Sequence, residues 1–290
     1  MATDQGPMVQ SAQLRTELVH LRKEKGLTQE QVAKKLDWSS SKLIRIEGGK
    51  NAISRTDLQA LLLQYDVTSE SRQEKLQALA RGAREPAWWA PYRGEFSETY
   101  LNYVGYESGA SFVRHFQGLI IPGLLQTPEY AEVIASGIVG PVQVGTVVKL
   151  RMERQRRMVE RENPPHRLFL IDEATIRRHV GVMVDPGIMP RQLRSIADDA
   201  ERDELLTVRV VPFSVGSHKG LEGPFTILEF DSGLNDVLYL EGSRAASVLF
   251  AGDETRISDY RGAFEDLLDL SLPEDRSIEM IRDAADQLMA

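Results

Sequence analysis

The apolar residues of the first 85 positions recur every three or four residues, as they do on the buried face of a helix. The leucines that carry this pattern are Leu14, Leu18 and Leu21 in a first predicted helix, Leu58, Leu61 and Leu62 in a fourth, and Leu76 and Leu79 in a fifth. Residues 1–11 show no periodicity and predict a disordered lead. The pattern therefore predicts an all-α domain of five helices over residues 12–85.

The second and third helices are predicted between Leu27 and Lys50, in the segment LTQEQVAKKLDWSSSKLIRIEGGK. Thr28 and Gln31 have the spacing of a capping box, which starts a helix. The apolar residues that would bury the contact between these helices are Val32, Ala33 and Leu36 in the first and Leu43 and Ile46 in the second, with Trp38 at the turn. This arrangement is typical of a helix-turn-helix, whose second helix enters the major groove of DNA.

The polar residues of the motif are candidates for contacts with DNA. Ser39 is placed to cap the second helix. Arg45 can pair bidentately with guanine, and Gln29 lies in a first turn, where free N–H groups attract phosphate. The predicted DNA-binding residues are Gln29, Ser39, Ser40, Ser41, Lys42, Arg45 and Lys50. The alternative is an ordinary helical hairpin whose polar residues face water.

The segment resembles the XRE-type, phage-repressor-like helix-turn-helix family, and the resemblance covers roughly residues 12–67. It implies a sequence-specific regulator that binds a double-stranded operator. Two residues depart from the family pattern. Asp37 stands where a turn glycine is usual, and Asp tolerates the left-handed conformation better than most residues. Ile44 stands where a polar residue is usual, so it either touches a thymine methyl or packs beside the recognition face.

Residues 97–290 mix the periods of strands and helices. Strands are predicted at 112–117, 168–172, 206–212, 225–230 and 237–240, and helices at 98–110, from 127, and at 146–161, 189–203, 254–269 and 274–288. Gly, Pro and the paired Trp88 and Trp89 mark a junction over residues 86–96, where we expect the tryptophans to pack rather than to form a stacking platform. The chain is thus predicted to be multi-domain, with the all-α helix-turn-helix domain followed by an α+β domain that has a small mixed or antiparallel sheet.

Charge divides the chain in the same place. The net charge is −8, but residues 1–85 hold 14 Lys and Arg against 11 Asp and Glu, whereas residues 86–290 hold 21 against 32. The acidic part is a poor surface for nucleic acid and suits a protein partner or a small ligand better. No apolar run approaches the ~20 residues of a membrane span, and the start has no signal-peptide pattern. With no cysteine, the chain fits a reducing cytoplasm.

The second part also resembles a family, the large C-terminal domain that is attached to XRE-type regulators of actinobacteria and is described as antitoxin-like. The matching segments are PGLLQTPEYA from Pro122, LRMERQRR from Leu150, IDEATIRRHVG from Ile171, VRVVPFSVGSHKGLEGPFTILEF from Val208 and LYLEG from Leu238. The resemblance implies a small co-encoded protein as partner. The loop from Val182 to Pro186 does not align with the family, which leaves its role open.

Three features of the second part have both a structural and a functional interpretation. The basic residues of 149–161 fit a solvated helix paired with acidic neighbours better than a second phosphate surface. The loop over 215–224 is glycine-rich, and His218 and Lys219 could meet an anion there. The neighbouring acids Asp172 and Glu173 do not converge on one point, and the five histidines lack metal-ligand spacing. We therefore expect no metal, no cofactor and no enzymatic activity.

Together these patterns predict a cytoplasmic transcriptional regulator that binds operator DNA as a homodimer, because two half-sites multiply the specificity of one short recognition helix. Its C-terminal domain would bind the small partner protein. The first alternative is a one-component regulator whose C-terminal domain senses a small ligand. The second is an enzyme that uses the helix-turn-helix to attach to DNA.

Overall fold

The computed structural model describes residues 6–49, 52–231, 233–242 and 247–289. The chain divides into two compact units. The first comprises Met1–Pro91 with Asp231–Leu234, and the second comprises Tyr92–Phe230 with Asn235–Ala290. The division between Pro91 and Tyr92 falls inside the segment 86–96 that the sequence marks as a junction.

The first unit is built from short helices around one apolar core. They are α1 Gly6–Glu24, α2 Gln29–Lys35, α3 Ser40–Glu47, α4 Arg55–Gln64 and α5 Glu70–Gly82. A 3₁₀ turn at Ala90–Tyr92 follows, at the division between the two units. Hydroxyls start three of the helices, since Thr28, Ser54 and Ser69 each accept a hydrogen bond from a backbone N–H of the first turn. The buried core includes Leu18, Leu43, Leu58, Leu61 and Leu76. The five helices of the sequence prediction are therefore confirmed.

The first helix begins earlier than the sequence predicts. Residues 1–11 were expected to be disordered, but α1 starts at Gly6, so this prediction is wrong from that residue onwards. Val9 is fully buried, and the side chain of Gln10 is buried against Gly82 of α5. A single valine among buried glutamines gives no apolar periodicity, which is why the pattern did not indicate this turn. Residues 1–5 lie outside the described residues.

The second unit contains a six-stranded mixed sheet. Its strands are β1 Phe112–Gln117, β2 His166–Asp172, β3 Leu206–Val211, β4 Phe225–Glu229, β5 Val237–Leu240 and β6 Val248–Ala251, in the order β3-β2-β1-β4-β5-β6. The first three strands are parallel to one another, and β4, β5 and β6 join antiparallel. The carboxyl ends of β1, β2 and β3 consequently share one edge, which we call the carboxyl edge.

Helices cover both faces of this sheet. They are α6 Glu98–Glu107, α7 Pro128–Ser136, α8 Pro141–Val159, α9 Glu173–Arg177, α10 Ile188–Arg202, α11 Glu254–Leu270 and α12 Glu274–Gln287, with 3₁₀ turns at Gly123–Leu125, Phe213–Val215 and Lys219–Glu222. Phe169 and Val208 face a core that contains residues of α10 and α12. Phe116 and Leu170 face the opposite core, which contains Phe264 of α11.

The α+β architecture predicted from the sequence is confirmed, and the sheet is mixed. Three elements differ from the prediction, and the first is the short helix α9 Glu173–Arg177, which was not predicted. Helix α8 begins at Pro141, five residues before the predicted start, because Pro141 occupies a first-turn position that needs no N–H donor. Strand β6 was not predicted, because only its two central residues are even half-buried and it lies at the edge of the sheet. Trp89 is buried, so it packs as expected.

Candidate nucleic-acid interface

The turn between α2 and α3 has the geometry that the sequence indicates. Thr28 and Gln31 form the complete capping box, with the Gln31 N–H donating to Thr28 Oγ1 at 3.2 Å and the Thr28 N–H donating to Gln31 Oε1 at 2.8 Å. Asp37 adopts the left-handed conformation at φ 52°, as expected for the residue in the glycine position. The Trp38 N–H donates a hydrogen bond to the Ala33 carbonyl at 2.8 Å, which closes the turn.

Helix α3 separates an apolar side from a polar side. Leu43 and Ile46 are buried in the core of the first unit. The exposed residues of α3 include Ser40, Ser41, Ile44 and Arg45. Within the described residues Arg45 makes no hydrogen bond or ion pair, so its guanidinium is available to a guanine edge. Ile44 is 52% exposed, so it lies on the recognition side rather than in the core.

Glu47, the last residue of α3, connects three helices of the unit. Its carboxylate accepts hydrogen bonds from Arg22 Nε at 2.7 Å, from Arg22 Nη2 at 2.9 Å and from Gln29 Nε2 at 2.7 Å. Arg22 also donates to the Leu27 carbonyl at 2.9 Å. The hydrogen bond to Glu47 raises the pKa of Arg22 above its ordinary value. This ion pair fixes the end of α3 against α1 and the start of α2, and the sequence analysis did not identify it.

Two of the predicted DNA-binding side chains, those of Gln29 and Lys42, already have partners within the protein. The Gln29 side chain donates to Glu47, as described above. Lys42 Nζ donates to Asp57 Oδ1 of α4 at 2.6 Å and lies 3.9 Å from the centre of the Trp38 ring. A phosphate contact by either side chain would therefore replace an existing partner. These contacts do not test the role of Gln29 and Lys42 in DNA binding, which stays a prediction.

The remaining predicted residues are placed as follows. Ser39 occupies the N-cap position of α3, but its side chain makes no capping bond there; its hydroxyl lies 3.2 Å from that of Ser41. The predicted side-chain cap is therefore wrong, although the helix begins where expected. Lys50 lies outside the described residues.

The basic helix α8 in the second unit is largely paired with acids. Arg154 is buried, and two of its guanidinium nitrogens donate to the Glu107 carboxylate, at distances from 2.5 to 2.9 Å. Arg156 pairs with both Glu153 and Glu160, and Arg157 pairs with Glu153. These contacts favour the structural interpretation of residues 149–161 over a second phosphate surface.

The basic side chains of the glycine-rich loop over 215–224 are likewise paired with acidic residues. His218 Nε2 lies 3.0 Å from Asp172 Oδ2, and Lys219 Nζ lies 2.5 Å from Asp266 Oδ2. Both side chains that could have met an anion therefore face carboxylates. Among the described residues, no group of three or more His, Cys, Asp or Glu is arranged to hold a metal ion. Nor does that part of the chain contain a helix long and apolar enough to cross a membrane.

The first unit thus defines a helix-turn-helix DNA-binding protein, and residues 13–76 match a family model described as a helix-turn-helix domain. Residues 100–283 match the model of a second family, described as a domain of unknown function (DUF5753). Since this match spans more than half of the chain, the protein belongs to the DUF5753 family. No curated protein and no solved structure matches the chain.

Proposed function

We propose that this protein is a sequence-specific transcriptional regulator of the XRE type, in which α3 reads operator DNA and the second unit receives the regulatory signal. The observation that carries the proposal is the exposed side of α3. Ser40, Ser41 and Arg45 are exposed on a helix in which Leu43 and Ile46 are buried and whose end is fixed by Glu47. A recognition helix that is held rigidly loses little entropy when it enters the major groove.

The signal is proposed to be a small co-encoded protein that binds the second unit, as in antitoxin-like regulators of actinobacteria. The family resemblance supports this proposal, and so does the separation of charge. The acidic excess of residues 86–290 disfavours contact with DNA and leaves their surface for a protein. We propose a cytoplasmic protein that binds two operator half-sites as a homodimer.

A cleft in the second unit favours a small-ligand sensor as the second candidate. It encloses about 510 Å³ between α8, α10 and the adjoining strands. Met152, Met158 and Leu206 contribute apolar walls, and the exposed Arg156 and Arg202 also line the cleft. Gln155, Arg167, Asp199 and Asp203 line it as well, so the cleft suits a small molecule that carries both apolar and polar groups. A metabolite that raises the melting temperature of the full chain and changes its operator affinity would favour this candidate.

Substitution of Arg45 tests the DNA-reading part of the proposal. Arg45→Ala removes a bidentate contact worth about 1–3 kcal/mol, so we expect operator affinity to fall by about 5- to 150-fold and selectivity to relax at one base position. The measurement is fluorescence anisotropy with the upstream region of the protein's own gene and single-base variants of it.

Arg81→Ala is the matched control, because Arg81 is also exposed but lies in the last turn of α5. It removes the same charge without changing α3, so it should leave base selectivity intact. Unchanged selectivity in Arg45→Ala would contradict the assignment of α3 as the reading helix.

A further inference from the structure

Ile44 is an exposed apolar residue in the helix that the proposed function assigns to reading DNA. Its side chain is 52% exposed, whereas Leu43 and Ile46 of the same helix are buried in the core of the first unit. Isoleucine also has a lower intrinsic helix propensity than alanine, lysine or glutamine. Neither the core nor the short helix α3 therefore gains much from an isoleucine at this position.

Ile44 belongs to one exposed stripe of the helix. Four exposed residues have the i, i+3, i+4, i+7 spacing of a single helix side. They are Ser41, Ile44, Arg45 and the C-cap residue Gly48. Ile44 is thus adjacent to Arg45, the residue expected to pair with guanine. The side of α3 that would read base edges carries one apolar side chain among polar ones.

The neighbours of Ile44 on this stripe leave its side chain uncovered. Side chains of a helix lean towards its N-terminus, so the residue four positions later would lie over Ile44. That residue is Gly48, which has no side chain. In the other direction Ile44 leans towards Ser40 and Ser41, whose side chains are short, and the Ser41 hydroxyl lies 3.2 Å from that of Ser39. Ile44 is therefore accessible towards the N-terminal part of α3, the part of a recognition helix that contacts base edges.

An isoleucine side chain can distinguish thymine from the other bases in the major groove. It has neither a donor nor an acceptor, and the C5 methyl of thymine is the apolar group that base edges present there. Against the polar edge of another base, isoleucine would displace water from N–H or carbonyl groups without replacing their hydrogen bonds. A hydrogen bond that is left unmade in a closed interface is costly. Thymine is therefore the base that an exposed isoleucine favours.

We propose that Ile44 is a specificity-determining residue that contacts the C5 methyl of a thymine, so that operators of this protein carry thymine at one fixed position of the sequence read by α3. The inference rests on the proposed function, in which α3 enters the major groove, and it deepens that function by naming a base that the helix requires. Neighbouring residues then read DNA in two different ways. Arg45 uses hydrogen bonds, and Ile44 uses apolar contact.

Removing the thymine methyl tests this contact without changing a hydrogen bond of the base pair. Duplexes that the full chain binds are first selected from a library with a randomised segment. Each thymine of a selected duplex is then replaced in turn by deoxyuridine, and the affinities are measured by fluorescence anisotropy. At one thymine the wild type should bind the deoxyuridine duplex about 3- to 10-fold more weakly, because one methyl group is no longer buried.

Three protein variants make the test specific to Ile44. Ile44→Ala should bind the thymine duplex more weakly than the wild type and should not distinguish it from the deoxyuridine duplex, because its contact is already lost. Ile44→Val keeps a branched apolar side chain and should still distinguish the two. Leu63→Ala is the matched control, because Leu63 is 81% exposed but lies in α4, and it should discriminate as the wild type does. Circular dichroism establishes that each variant keeps its fold.

The proposal is supported by a thymine whose methyl matters to the wild type, to Ile44→Val and to Leu63→Ala but not to Ile44→Ala. It is overturned if no deoxyuridine replacement weakens binding of the wild type, or if Ile44→Ala keeps the full discrimination. A selection that enriches no sequence would contradict the proposed function itself, and this inference with it. An enriched sequence without the methyl effect would contradict the role of Ile44 alone.

Discussion

At the scale of single residues, charged side chains help the apolar core to hold the helix-turn-helix. Leu43 and Ile46 fix the depth of α3 in the core, but a buried stripe alone leaves a short helix free to rotate and shift slightly. Glu47 limits that freedom because its carboxylate accepts from Arg22 and Gln29 together. Its side chain is only 4% exposed and that of Arg22 only 12%, so water screens the pair weakly.

Glu47→Gln should therefore destabilise the first unit strongly. The change leaves the Arg22 guanidinium half-buried without a counter-charge, and breaking such a pair costs about 3 kcal/mol. Asp66→Asn is the matched control, because the Lys25–Asp66 pair is exposed and worth less than about 1 kcal/mol. Asn also tolerates the left-handed backbone of residue 66, which has φ 52°. Chemical unfolding of the full chain measures both, and equal losses in the two variants would contradict the importance of Glu47.

At the scale of elements, the sequence predicts what depends on local chemistry. The capping box at Thr28, the left-handed Asp37 and five strands of alternating or continuous apolar residues follow from short-range patterns, and each occurs in the structure. The early start of α1, the edge strand β6 and the contacts of Glu47 depend on residues far away in the sequence. Gln10 is buried because Gly82 leaves room for it, and no pattern around Gln10 indicates this. Long-range polar contacts are therefore the part of the site that sequence patterns missed.

Strands β1 and β4 carry a polar pair beneath α6 and α8 that makes stability depend on pH. His115 Nδ1 lies 3.0 Å from Thr226 Oγ1, and both residues are buried. Burial, together with the charge of Arg154, lowers the pKa of His115 to about 3, whereas an unfolded histidine titrates near 6.5. Below pH 6.5 the unfolded chain binds a proton that the native chain does not, so the free energy of unfolding falls as the pH drops towards 3.

Between pH 7 and pH 5 this difference should cost the wild type about 2 kcal/mol. His115→Gln keeps a hydrogen-bonding amide near Thr226 but has no charge to gain, so its unfolding free energy should lack that part of the pH dependence. The measurement is denaturant unfolding of both proteins at several pH values. Parallel pH profiles for the two proteins would show that His115 does not titrate as its burial implies.

At the scale of the whole molecule, the two units carry net charges of opposite sign. Residues 1–85 carry a small positive excess, which gives weak and salt-sensitive attraction to DNA, and residues 86–290 carry the acidic excess. The first unit has its own core, so it should fold without the second. Under the proposed function, a partner that binds the second unit controls whether two recognition helices act together.

Separating the units tests this division. A fragment of residues 1–91 should retain operator selectivity but bind about 10²–10⁴-fold more weakly than the full chain, because the avidity of paired half-sites is lost. The co-encoded small protein, titrated into both forms in an anisotropy assay, should change the operator affinity of the full chain and leave the fragment unaffected. Arg45→Ala in the fragment controls for non-specific binding, since it should remove the remaining selectivity. A fragment that responds to the small protein as strongly as the full chain would place the regulatory surface in the first unit instead, because only that unit is common to both forms.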